Sequence, residues 1–131
     1  MLFRSDFSEE DYGRLIASKT ASLMSAACEM GAIAGAPDLR EPLASYGHNL
    51  GMAFQIADDL LDYDGDAELL GKPAGQDADR GKGSFVVLMG LEPARAAAAE
   101  LIAGAEAALE PWGDAAAPLR SIARFAIERQ S

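Results

Sequence analysis

No stretch of this 131-residue chain alternates apolar and polar residues as a half-buried strand does. Alanine recurs throughout, and β-branched residues are sparse. Alanine gives up no side-chain freedom on entering a helix, whereas branching at Cβ crowds the preceding turn. An all-α fold is therefore expected. The length suits one small domain with a modest core, and a fragment of a larger domain would have the same composition. No repeat at a fixed period marks a solenoid.

Helix starts and stops are legible along the chain. Ser8-Glu9-Glu10-Asp11 has an N-cap residue and an acidic first turn, and a helical stretch follows to about Gly35. Pro37-Asp38 is a turn. A second helix is expected from about Leu39 to Tyr63, with Gly65 able to end it. Residues 65–83 are rich in Gly and Asp and are expected to be a loop. Ser84 can cap a short apolar helix, Phe85 to Gly90. Pro93 suits the first turn of the next helix, which Pro111 ends, and a last helix covers about Pro118 to Arg129.

The second of these helices carries the chemistry. At about 100° per residue, Gln55, Asp58, Asp59 and Asp62 share one arc, while Leu50, Phe54, Ala57, Leu60 and Leu61 lie around the other side. Gly51 sits on the polar arc one turn before Gln55, leaving room for a ligand or for a neighbouring helix. Like charges at i, i+4 cost about a few tenths of a kcal/mol. A helix C-terminus also disfavours negative charge. Divalent cations would remove both penalties, and oxygen-only ligands point to Mg²⁺ or Ca²⁺. The plainer alternative is a solvated acidic face, and spacing alone does not choose between them. An EF-hand over Asp62, Asp64 and Asp66 is excluded, because its sixth position would be Ala67 and its twelfth Pro73.

Two Gly-Lys pairs follow, Gly71-Lys72 and Gly81-Lys82. A lysine is a compact positive charge suited to phosphate, and glycine lets the backbone fold over a ligand. The plainer alternative is that both lysines only solubilise the loop, and without the neighbouring acidic face that alternative would be favoured. Lys19-Thr20 lies mid-helix among small and apolar residues, either exposed or aimed into a cleft. His48 falls near the acidic arc, where a lone histidine is more often a surface residue than a ligand.

Other functions are excluded more firmly. A net charge of −10 with no Lys/Arg stripe argues against nucleic acid and against an anionic membrane surface. Cys28 is the only cysteine, so no intramolecular disulfide forms, and its small neighbours suit a buried hydrophobe. With one His and one Cys there is no zinc cluster and no Ser-His-Asp or Cys-His arrangement. No run is long enough to span a bilayer, and residues 1–4 do not make a secretory signal. The expected location is cytoplasmic, with no stable membrane anchor.

"GMAFQIADDLLDYDGDAELLGKPAGQDADRGKGS", from Gly51 to Ser84, resembles the second aspartate-rich region of the trans-isoprenyl diphosphate synthases, the farnesyl, geranylgeranyl and longer polyprenyl diphosphate synthases. Phe-Gln, DDxxD, a Gly-Lys-Pro loop, a Gly-x-Asp step and a second Gly-Lys stand in that family's order. "KTASLMSAACEMGAIAG" resembles the family's Lys-Thr helix. "LMGLEPARAAAAELIAGA" is similar to the helix after the loop in bacterial short-chain members.

The resemblance implies a helical bundle of the isoprenoid synthase type, present here as its C-terminal half, because only one DDxxD is found and the first motif of the family lies upstream. It implies Mg²⁺ held by Asp58 and Asp62, with Asp59 supporting. Lys19, Lys72 and Lys82 would neutralise diphosphate, and Thr20 and Gln55 would line the same cleft. The implied reaction condenses isopentenyl diphosphate with an allylic diphosphate, by a homodimer in the full-length form, with "GLEPAR" leaning towards short-chain products. A split or truncated non-catalytic subunit and an allylic diphosphate cyclase are the alternatives.

Overall fold

The computed structural model describes the backbone over residues 8–70 and 85–128, and the side chains over 8–63 and 85–128. The described residues are helical with no strand. They run as α1 (Glu9–Ile16), a π-helical segment (Ala17–Ala21), α2 (Ser22–Gly35), a 3₁₀ turn (Pro37–Leu39) and α3 (Arg40–Leu70). After the undescribed residues come α4 (Phe85–Met89), α5 (Leu91–Ala108), a 3₁₀ segment (Glu110–Ala116) and α6 (Ala117–Glu128). The all-α expectation holds.

The punctuation works by the expected physics. Ser8 is extended and its Oγ accepts the Asp11 N–H at 3.1 Å, while Asp11 Oδ2 accepts the Ser8 N–H at 3.2 Å. This reciprocal capping box satisfies two amides that the helix start would otherwise orphan. Pro37 is the first and Pro111 the second residue of a 3₁₀ segment, where a missing N–H costs nothing. Gly90, at φ 97°, separates α4 from α5 with a backbone conformation that side-chain-bearing residues rarely adopt.

One boundary differs. Gly65 does not end α3, which continues to Leu70. A single glycine costs a helix only about 1 kcal/mol. The residues that follow it, Ala67 to Leu70, are good helix formers. Residues 65–70 of the expected loop are therefore helical; its remainder, including Lys72, Lys82 and the proposed Ser84 cap, lies outside the described residues.

α3 is the central element and packs chiefly against α2 on one side and α5 on the other, with α4, α6 and the π segment also touching it. Two buried clusters flank it. Tyr46, Ala53, Ile102, Ala105, Leu109, Ala116 and Ala123 form one, against which Cys28 packs. Ile16, Ile56, Phe85, Val86, Ala94 and Ala98 form the other. Burial raises the pKa of the Cys28 thiol, as befits a packing residue. Tyr46 is fully buried and satisfies its hydroxyl by donating to the Leu119 carbonyl at 2.8 Å.

The α2–α3 crossing is unusually close because glycine lines it. A Cβ added to Gly47 would lie 2.7 Å from the Met24 carbonyl oxygen, and one added to Gly51 would lie 2.7 Å from the Ala21 Cα. Both obstacles are backbone. The room that Gly51 leaves on the polar arc is therefore filled by a neighbouring helix.

Candidate functional site

The Gly51–Ala21 contact determines what the site contains. It presses the π segment, which holds Lys19 and Thr20, against α3 one turn before Gln55. A π turn inserted in an α-helix shifts the facing of every later side chain and is often found at functional sites. α-helical periodicity could not resolve which way Lys19 faces for this reason. Lys19 is exposed and Thr20 half-buried, next to the buried Ala21.

The acidic arc of α3 is divided. Asp62 is exposed and Asp58 half-buried, but Asp59 is only 8% exposed. Its carboxylate is held from three directions. Oδ1 accepts from Gln55 Nε2 at 3.1 Å. Oδ2 accepts from the Tyr12 hydroxyl at 3.2 Å and from the backbone N–H of Phe85 at 3.0 Å. Burial raises the Asp59 carboxyl pKa above the ordinary carboxylate range, and the negative charge of Asp62 adds to that. The N–H of Phe85, the amide of Gln55 and the phenol of Tyr12 pull it back. The Tyr12 phenol is pushed well above its usual value, first by burial and then by the charge of Asp59, so it is a hydrogen-bond donor throughout the neutral range.

Tyr12 was not legible as a site residue. It stands 47 residues from Asp59, and its ring also meets Phe85 edge to face with centroids 4.6 Å apart. Its position in the first turns of α1, between the capping box and the buried Ile16, was the only local signal. His48 is exposed.

The donor set suits a hard divalent cation. Asp58 and Asp62 are one helical turn apart, and both carry oxygen ligands. Mg²⁺ is typically held by one or two carboxylates, with water and phosphate oxygens completing an octahedron. Among the described residues no three His, Cys, Asp or Glu side chains close around one point.

Residues 1–111 match the family described as polyprenyl synthetase. The chain belongs to that family. Among its polyprenyl synthetase relatives is heptaprenyl diphosphate synthase component 2 of Geobacillus stearothermophilus, 42% identical over 97% of this chain and 40% of the relative. Octaprenyl diphosphate synthase of Escherichia coli is 48% identical over 63% of the chain and 26% of the relative. The mitochondrial geranylgeranyl pyrophosphate synthase 10 of Arabidopsis thaliana is 39% identical over 100% of the chain and 39% of the relative. The chain thus spans about two fifths of the length of the first and third of these. Their names cover products of several lengths. Among the described residues no helix is long and apolar enough to cross a membrane.

Proposed function

We propose that this chain is the C-terminal part of an isoprenoid synthase domain, and that the whole protein condenses isopentenyl diphosphate with an allylic diphosphate. The observation that supports this is the close Gly51–Ala21 contact, where the π segment that carries Lys19 and Thr20 meets α3 one turn before Gln55. A cation, a hydroxyl, an amide and paired carboxylates on adjoining backbones make a surface for a metal-bridged diphosphate.

In that reading Asp58 and Asp62 hold Mg²⁺, with Asp59 supporting them. Lys19, Lys72 and Lys82 neutralise diphosphate oxygens, while Thr20 and Gln55 hydrogen-bond to the same group. The bound ion supplies positive charge to the leaving diphosphate. The allylic C–O bond breaks with its electron pair leaving on the diphosphate. The double bond of isopentenyl diphosphate forms the new C–C bond, and a proton is lost to the departing diphosphate. The chain's own task is to fix the charge of that leaving group in place before the bond breaks, where preorganised charge is most effective. We assign short-chain products, farnesyl or geranylgeranyl diphosphate, on the likeness of Gly90 to Arg95 to short-chain members, and a homodimeric, cytoplasmic protein.

Calorimetric titration of inorganic pyrophosphate into the 131-residue chain tests the binding half of this proposal. Binding is expected with Mg²⁺ present, and its loss on chelation with EDTA. Binding that ignores Mg²⁺, or none at any Mg²⁺ concentration, would contradict it.

A second reading, a non-catalytic subunit that pairs with another chain, is favoured by one observation. Leu23, Met30 and Phe125 are 70%, 64% and 66% exposed, large apolar side chains of the kind that mark a protein interface. Product formation from the two diphosphates by the purified chain would exclude it.

A further inference from the structure

The three aspartates of Asp58-Asp59-Leu60-Leu61-Asp62 do not share one environment. Asp59 is turned into the protein, and both of its oxygens are occupied by donors from three different elements: α1, α3 itself and the first residue of α4. A carboxylate so engaged has little left to offer a cation, because ligation would compete with the Phe85 N–H and the Tyr12 phenol for Oδ2 and with the Gln55 amide for Oδ1.

The same contacts show what Asp59 does instead. An ionised carboxylate only accepts hydrogen bonds, so Gln55 must turn its Nε2 towards Asp59, which fixes which end of the amide faces which way. Tyr12 and Phe85 meet at Oδ2 and also through their rings, so one carboxylate joins the start of α1 and the start of α4 to the acidic face of α3.

We propose that Asp59 is a positioning residue and not a cation ligand: it orients Gln55 and, with Tyr12, pins α1 and α4 to α3, leaving Asp58 and Asp62 as the carboxylates that take the ion. This rests on the proposed function for the role of Asp58 and Asp62, but the geometry of Asp59 stands by itself.

The distinction is measurable because asparagine keeps the two bonds at Oδ2, reverses the one with Gln55 and lacks the charge. In Asp59→Asn the side-chain oxygen still accepts from Tyr12 and Phe85, and the new NH₂ donates to a Gln55 amide turned over to meet it. Asp59→Ala leaves all three donors without their acceptor. The readouts are the Mg²⁺ concentration at half-maximal turnover in the full-length protein and the melting temperature. Asp59→Asn is expected to keep the Mg²⁺ requirement within about threefold and to keep the melting temperature, whereas Asp58→Asn raises the requirement about tenfold or more. Asp59→Ala is expected to lose melting temperature, with asparagine rescuing it. Asp59→Asn raising the Mg²⁺ requirement as far as Asp58→Asn would overturn the proposal, as would an alanine variant as stable as the parent. An unchanged requirement in Asp58→Asn would instead overturn the functional reading alone. The role of Asp59 would then be decided by whether asparagine keeps the stability that alanine loses.

Discussion

Asp58→Ala, made in a protein of the relatives' full length that carries this chain, is expected to lower condensation turnover about 100-fold or more. In the proposed function the substitution removes one of the two carboxylates that would hold a divalent ion. That ion would supply charge where the diphosphate leaves, typically worth several kcal/mol. Removing one of two like charges at i, i+4 also relieves a repulsion of about a few tenths of a kcal/mol. Melting temperature, read beside turnover, separates the loss of a cation ligand from the loss of a structural contact. Turnover close to that of the parent would remove Asp58 from the site.

Gly51→Ala is expected to cost about 1–3 kcal/mol of folding stability, measured by urea denaturation, and Gly51→Leu more. The new Cβ would lie 2.7 Å from the Ala21 Cα and 3.3 Å from the Ala21 nitrogen. Neither atom belongs to a side chain that can rotate away, so α3 and the π segment must part. Thr20 is the residue before Ala21, so the movement carries the Lys19-Thr20 segment away from Gln55. Turnover should fall further than the loss of folded protein accounts for. Gly31→Ala is the matched control: it lies within α2 with nothing inside 4 Å of an added Cβ, and it should be neutral or stabilising by up to about 1 kcal/mol. If Gly51→Ala is as stable as Gly31→Ala, the close crossing does not constrain the fold.

The reach of the sequence differs between local and long-range features. Capping at Ser8, the turn at Pro37, the helix after Gly90 and the break at Pro111 were all legible, because each follows from a residue's own backbone chemistry. Gly65 misled because a glycine weakens a helix without ending it when good helix formers follow. The acidic arc was found by helical periodicity, but periodicity treats its aspartates alike. What separates them is the neighbour each one meets. Asp59 meets Tyr12 and Phe85 from elements distant in the chain, and no spacing rule carries that information. The facing of Lys19 was lost for another reason, since the π segment at Ala17–Ala21 breaks the period on which such a reading depends. Gly51 lay between these cases: the sequence showed that space was needed there, and only the packing showed that Ala21 takes it.

The decisive measurement is a condensation assay with the full-length protein, isopentenyl diphosphate, an allylic diphosphate and Mg²⁺. The expected product is a prenyl diphosphate longer than the allylic substrate, with inorganic pyrophosphate released in step and no reaction after chelation of the metal. Consumption of the allylic diphosphate without isopentenyl diphosphate, or no elongated product at saturating Mg²⁺, would contradict it.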